Sequence, residues 1–165
     1  MGRWRPPPPH SSPYITPAGF TALQQELDEL WLRRRDVVKA LAAAAAEGDR
    51  SENAEYIYRK KELGGIDYRI RYLQKRLPIL KVVRNNPAGD RIYFGATVAV
   101  SDATGVTRTL QIVGPDETDP ANNAISMDSP LAATLLQKVV GDEINLTIEG
   151  KAVFYTVVSI SYPDQ

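Results

Sequence analysis

The chain has 165 residues, 20 Lys+Arg against 20 Asp+Glu, and no cysteine. This length suits one ordinary domain or two small ones. The missing cysteines exclude disulfides, thiolate catalysis and cysteine-based zinc sites, and no apolar run approaches the roughly 20 residues needed to cross a bilayer.

The zero net charge conceals an asymmetry: +6 over residues 1–84 and −6 over residues 85–165. Two modules with different partners would produce this, as would chance segregation of charge on solvated faces. The leader MGRWRPPPPHSSPYITP is basic and proline-rich without an apolar core. It is not a secretion signal, so a cytoplasmic protein is expected. Residues 1–14, with four consecutive prolines at 6–9, are expected to form an extended or disordered tail. His10, the only histidine, has no partner there for metal or acid–base work.

Thr16-Pro17 reads as a helix start, a hydroxyl cap followed by proline at the first helical position. Apolar residues then recur at steps of three and four: Phe20, Leu23, Leu27, Leu30, Val37, Leu41 and Ala44, interrupted by Arg34. Some 30 residues of helix would measure about 45 Å. A second run carries Tyr56, Leu63, Ile66, Ile70, Leu73 and Leu77, interrupted by Arg59. Pro78 should end or kink this helix. Gly64-Gly65 is either a weak spot or a place where the helices approach closely. The short link predicts antiparallel neighbours. Ala44 then meets Tyr56, Leu41 meets Arg59, Val37 meets Leu63 and Leu30 meets Ile70. A seam this narrow belongs to a two-helix coiled coil.

The link reads EGDRSENAEY, from Glu47 to Tyr56. Asp49 and Glu52 admit two readings. As a capping box, Asp49 is the N-cap and Glu52 reaches back from the third helical position. As chemistry, two carboxylates on a tip are half of a Mg²⁺ site, which typically takes one or two protein carboxylates, waters and phosphates. The basic residues behind the tip, Arg59, Lys60 and Lys61 among them, are either a solvated face paired with Glu55, Glu62 and Asp67 or a phosphate-contacting patch.

Beyond residue 85 the periodicity changes to strand-like. Ile92, Phe94, Ala96, Val98 and Val100 alternate. A turn at Asp102–Gly105 leads to the partner strand VTRTLQIVG, and a polar loop then precedes the short strand AISM. Ser129-Pro130 repeats the cap-plus-proline signature before a short helix. EINLTIEG and KAVFYTVVSISY form two more strands around a turn at Glu149-Gly150-Lys151. The expected class is α+β, an antiparallel sheet with one helix.

The motif G-D-x-x-E-N-A-E-Y after a long helix resembles the bacterial Gre transcript cleavage factors, and YIYRKKELGGIDYRIRYLQKRL looks like the GreB branch of that family. RIYFGATVAV, LQIVGPDE, AISMDSPLAATLL, KVVGDE and SISY resemble the family's later blocks in their order. The resemblance implies a tail over 1–14, a long antiparallel coiled-coil arm with an acidic tip over 15–84, and an FKBP-like domain over 85–165 that docks on RNA polymerase. It further implies a factor that inserts its coiled coil into the polymerase's secondary channel and stimulates cleavage of backtracked RNA. Such a factor is no enzyme itself: it lends carboxylates in trans.

On that resemblance Asp49 and Glu52 are the tip carboxylates. They share a catalytic Mg²⁺ and a water with the polymerase active centre and hold no metal stably alone. Gly48, Ser51, Asn53 and Tyr56 belong to the same motif. Arg59, Lys60 and Lys61 would meet the 3′ end of the backtracked transcript, and Asp128, Ser129 and Pro130 would dock on the channel rim. A monomer in the bacterial cytoplasm, without a membrane partner, is implied. Two other readings stay open: a channel-binding regulator without cleavage activity, and a coiled-coil adaptor or chaperone-like protein. FKBP-like folds also suggest prolyl isomerase activity, but fold does not carry function, and no aromatic-lined pocket is visible in the sequence.

Overall fold

The computed structural model describes residues 4–6, 11–48, 53–84 and 89–163. It divides into two compact units, Phe20–Ile79 and a second that joins Met1–Gly19 to Leu80–Gln165.

The first unit is a pair of helices, built mainly from α1 (Pro17–Ala45) and α2 (Ala54–Arg76). Apolar residues at helical spacing bring Val37, Ile66 and Ile70 into one buried cluster, with Leu27, Leu30 and Leu63 packed against it. This is the expected seam. Three ion pairs bridge the helices beside it: Arg33 with Glu62, Arg34 with Asp67 at 2.7 Å, and Arg69 with Glu26. Arg34 therefore interrupts the apolar pattern because its guanidinium reaches across to the other helix. Arg59 interrupts it differently, pairing with Glu55 and Glu62 of its own helix. Leu77–Ile79 tightens into a 3₁₀ turn around Pro78, which has no amide hydrogen with which to continue the helix.

Gly64 and Gly65 do not provide a close approach. Both are exposed, and a Cβ on either would meet nothing within 4 Å. Only their helix-weakening effect remains.

The second unit holds a five-stranded sheet, in the spatial order Ala124–Ser126, Thr107–Val113, Thr97–Asp102, Lys151–Ser161, Glu143–Ile148. Its strands are β3 (Thr97–Asp102), β4 (Thr107–Val113), β5 (Ala124–Ser126), β6 (Glu143–Ile148) and β7 (Lys151–Ser161). Val98, Val100, Leu110, Ile112, Ile144 and Val157 form the core with Leu131, Ala132 and Leu135 of the short helix α3 (Pro130–Leu135). The β6–β7 hairpin turns on Glu149 and Gly150, both at positive φ, the geometry of a type I′ connection.

Three expectations need correction. First, the sheet is mixed, because β5 runs parallel to β4, with Gln111 opposite Ala124. Residues 114–123 fold into two 3₁₀ turns, Pro115–Glu117 and Pro120–Asn122. That crossover lets the chain return in the same direction, which a tight hairpin does not allow. Second, β3 begins at Thr97 rather than Ile92. Gly95 has φ +86 and the Ala96 amide bonds to the Tyr93 carbonyl, so the chain turns there.

Third, the N-terminal segment is part of this unit. β1 (Tyr14–Ile15) pairs in parallel with β2 (Lys81–Val82). The Lys81 amide bonds to the Pro13 carbonyl and the Val83 amide to the Ile15 carbonyl. Residues 11–13 thus lead directly into a paired strand, within the stretch 1–14 expected to be extended or disordered. The expected boundaries at 14/15 and 84/85 differ from the contact division for the same reason. Two-residue strands carry little periodicity, so nothing in the sequence advertised them.

Glu117 secures this junction. Its carboxylate accepts from the Thr16 amide at 2.8 Å, from the Thr16 hydroxyl, and from the Gly114 amide at 2.9 Å. Thr16 Oγ1 in turn accepts from the Gly19 amide at 3.0 Å, which is the helix cap that Thr16-Pro17 predicted.

Candidate functional site

The expected site residues fall into two groups, one in each unit. The first surrounds the end of the helical hairpin. Four alanines, 42–45, carry α1 to its end, where the Glu47 amide bonds to the Ala44 carbonyl. Gly48 then takes φ +136, a conformation that L side chains rarely adopt.

The chain re-enters helix at Asn53, which is extended and caps α2. Its side-chain oxygen accepts from the Tyr56 amide at 3.0 Å. Its side-chain nitrogen donates to the Ala44 carbonyl at 2.7 Å. One amide side chain thereby gives the Ala44 carbonyl, already bonded by the Glu47 amide, a second donor and satisfies an orphan amide of α2. The amide offers acceptor and donor together in one planar group, and Asn is short enough to cap well.

The expected capping box is therefore corrected: the N-cap of α2 is Asn53, not Asp49, and Glu52 precedes the cap. Asp49, Ser51 and Glu52 themselves lie outside the described residues. Tyr56 is half-buried, and Ala44, opposite it in the expected register, is buried. The dual role of Asn53 was open to sequence reasoning only as a motif position. Asn at an N-cap is a common signal, but the reach to the first helix is set by the pairing.

One turn further on, Arg59 is held by Glu55 and Glu62, both at 2.9 Å. The side-chain hydrogen bond that Arg59 donates to Glu55 leads in raising its pKa above the usual arginine value. Glu62 shifts oppositely: the hydrogen bond from Arg33 first, with a further one from Arg59, holds its carboxyl below the ordinary range against a desolvation effect. The paired-face reading thus describes Arg59. Lys60 and Lys61 are exposed.

The second group lies at the start of α3. Ser129 caps that helix, its Oγ accepting from the Ala132 amide at 3.3 Å, and Pro130 is the first helical residue. Thr134 returns its hydroxyl to the Pro130 carbonyl at 2.8 Å. Asp128 and Pro130 are exposed. Asp128 takes no part in the cap; its carboxylate accepts from the Ser12 amide and the Ser12 hydroxyl. Ser12 and Glu117 were missed by sequence reasoning. Their partners lie more than 100 residues away in the chain, and a local pattern holds no trace of such contacts.

Among the described residues, no three His, Asp or Glu side chains come together as a metal site, and no helix is long and apolar enough to cross a membrane.

Residues 13–82 match the family described as Transcription elongation factor, N-terminal, and residues 86–162 match Transcription elongation factor, GreA/GreB, C-term. A protein of Xanthomonas axonopodis pv. citri named Transcription elongation factor GreB is 54% identical over 165 residues, covering 98% of both chains. Its namesake in Pseudomonas aeruginosa is 50% identical over 165 residues, covering 99% of this chain and 98% of its own. A solved structure of the transcription factor Gfh1 covers 89% of this chain and 96% of its own, at 27% identity and a TM-score of 0.43.

Proposed function

Because the chain belongs to the GreA/GreB family of transcription elongation factors, we propose that it acts on bacterial RNA polymerase by placing its helical hairpin in the secondary channel and stimulating cleavage of backtracked RNA. The observation that supports this reading is the Asn53 clamp. A side chain that ties Ala44 to Tyr56 closes the hairpin at the point where the sequence holds two carboxylates.

In this reading Asp49 and Glu52 supply negative charge to a partner's active centre, and Ser51 and Tyr56 belong to the same tip. The donor set suits Mg²⁺ as a contribution only, since two carboxylates leave most of an octahedral shell to water and phosphate. Asp49 and Glu52 would help hold a second Mg²⁺, and the chemistry such a pair of ions would supply is the activation of water by one and stabilisation of the leaving oxygen by the other. Lys60 and Lys61 are free to approach the phosphates of the extruded RNA. Arg59 contributes by way of its ion pairs. Asp128, Ser129 and Pro130 form the docking edge on the polymerase rim.

Cleavage of RNA in backtracked complexes tests this. Asp49→Asn and Glu52→Gln should each bind polymerase like the parent yet lose stimulation by at least about tenfold, or ~1.4 kcal/mol in the barrier. Undiminished stimulation by either variant would overturn the tip mechanism. Inhibition by the parent without shortened RNA would instead identify an occluder of the channel.

A further inference from the structure

Asp128 is exposed and stands one residue before a helix cap that Ser129 already supplies. Its own amide is engaged by the Ser126 hydroxyl at 3.0 Å. Nothing in α3 needs its carboxylate. Yet one residue grips both carboxylate oxygens: the Ser12 amide donates to Oδ2 at 2.9 Å and the Ser12 hydroxyl donates to Oδ1.

Ser12 is carried there by ordered backbone. The Pro13 carbonyl receives the Lys81 amide at 2.7 Å, and β1 follows directly. A carboxylate has roughly four lone-pair sites. Ser12 occupies two, and the exposure of Asp128 leaves the others open to a second donor.

We propose that Ser12 is a positioning residue that presets the Asp128 carboxylate for an incoming partner donor, an arginine guanidinium or a backbone amide on the polymerase surface; this rests on the docking reading of Asp128 above. A side chain fixed before docking has less rotamer freedom to lose on binding. Two donors on one carboxylate also fix which edge faces outward. Ser12 thereby extends the docking edge from the start of α3 to the segment that precedes β1.

The experiment is titration of full-length variants against purified core RNA polymerase. Ser12→Ala should weaken binding by a few-fold to about tenfold, the range that one ordinary intramolecular hydrogen bond spans. Ser12→Thr keeps both donors and should bind like the parent. In an Asp128→Ala background, Ser12→Ala should have no further effect. Melting curves of each variant confirm that folding is retained, and Ser12→Gly serves as a second variant without the hydroxyl.

If Asp128→Ala binds like the parent, the docking reading fails and the proposal fails with it. If Asp128→Ala is weak while Ser12→Ala and Ser12→Gly bind like the parent, positioning alone is overturned. Tighter binding by Ser12→Ala also overturns it, because Ser12 would then be a cover that the partner must displace. A Ser12→Thr variant as weak as Ser12→Ala rules out the hydroxyl as the positioning group.

Discussion

Asn53 shows how much one side chain can decide. Its oxygen caps α2 and its nitrogen caps the end of α1. Asn53→Ala should therefore lose about 0.5–2 kcal/mol of stability, the usual range for a lost cap, read from urea unfolding of the full chain. Asn53→Asp keeps the acceptor for the Tyr56 amide but has no donor for the Ala44 carbonyl, and should recover only part. Full recovery by Asp would show that the contact to Ala44 contributes nothing. A preserved cap with a lost clamp should also fray the last turn of α1, visible as faster amide exchange at Ala46 and Glu47.

The two helices illustrate the next scale, where local propensity and pairing act on the same residues. Gly64 and Gly65 sit on the exposed side of α2 with open space where a Cβ would go. Gly64→Ala and Gly65→Ala should each stabilise the protein by up to about 1 kcal/mol. A loss of stability in either would mean that the glycines serve a contact after all.

Glu62, paired beside the seam, adds a pH dependence. Glu62 is held below the ordinary carboxylate range, chiefly by Arg33. A carboxylate with a lowered folded-state pKa adds stability that is fully present above its unfolded pKa and is lost as pH falls through the folded value. Helix content should accordingly fall on acidification below about pH 4. Glu62→Gln should flatten that part of the titration, followed by circular dichroism, at a cost in stability near neutral pH. An unchanged acid limb would remove Glu62 from the account.

At the scale of the whole molecule, the chain's beginning and its second half make one unit. β1 against β2, and Thr16 against Glu117, join segments far apart in the sequence. Gly114 permits that junction, because a Cβ there would stand 2.0 Å from the Tyr14 carbonyl oxygen. Backbone cannot yield as a flexible side chain can. Gly114→Ala should therefore destabilise the protein by about 1–3 kcal/mol, as overpacking does. It should also accelerate amide exchange at Lys81 and Val83, whose bonds hold β1 in place. Normal protection at those two amides would show that the close approach is relieved elsewhere.

The sequence by itself determined the elements with strong periodicity or strong punctuation. The seam through Val37, Leu63, Ile66 and Ile70, the caps at Thr16 and Ser129, the stop at Pro78 and the hairpin at Glu149-Gly150 all follow from spacing or from residue chemistry within a few positions. The ordered motifs of both halves carried the family.

Tertiary structure alone decided the rest. It made Asn53 the cap, with α2 starting at Ala54, and brought its amide nitrogen onto the Ala44 carbonyl of the first helix. It turned β5 parallel through a crossover of 3₁₀ turns, and it drew residues 11–15 into the second unit through two-residue strands. It also gave Arg34, Ser12 and Glu117 their partners. The physical reason is common to all of these: hydrogen bonds and ion pairs between distant residues depend on where folding brings their atoms. Hydrophobic spacing records only which face of each element turns inward.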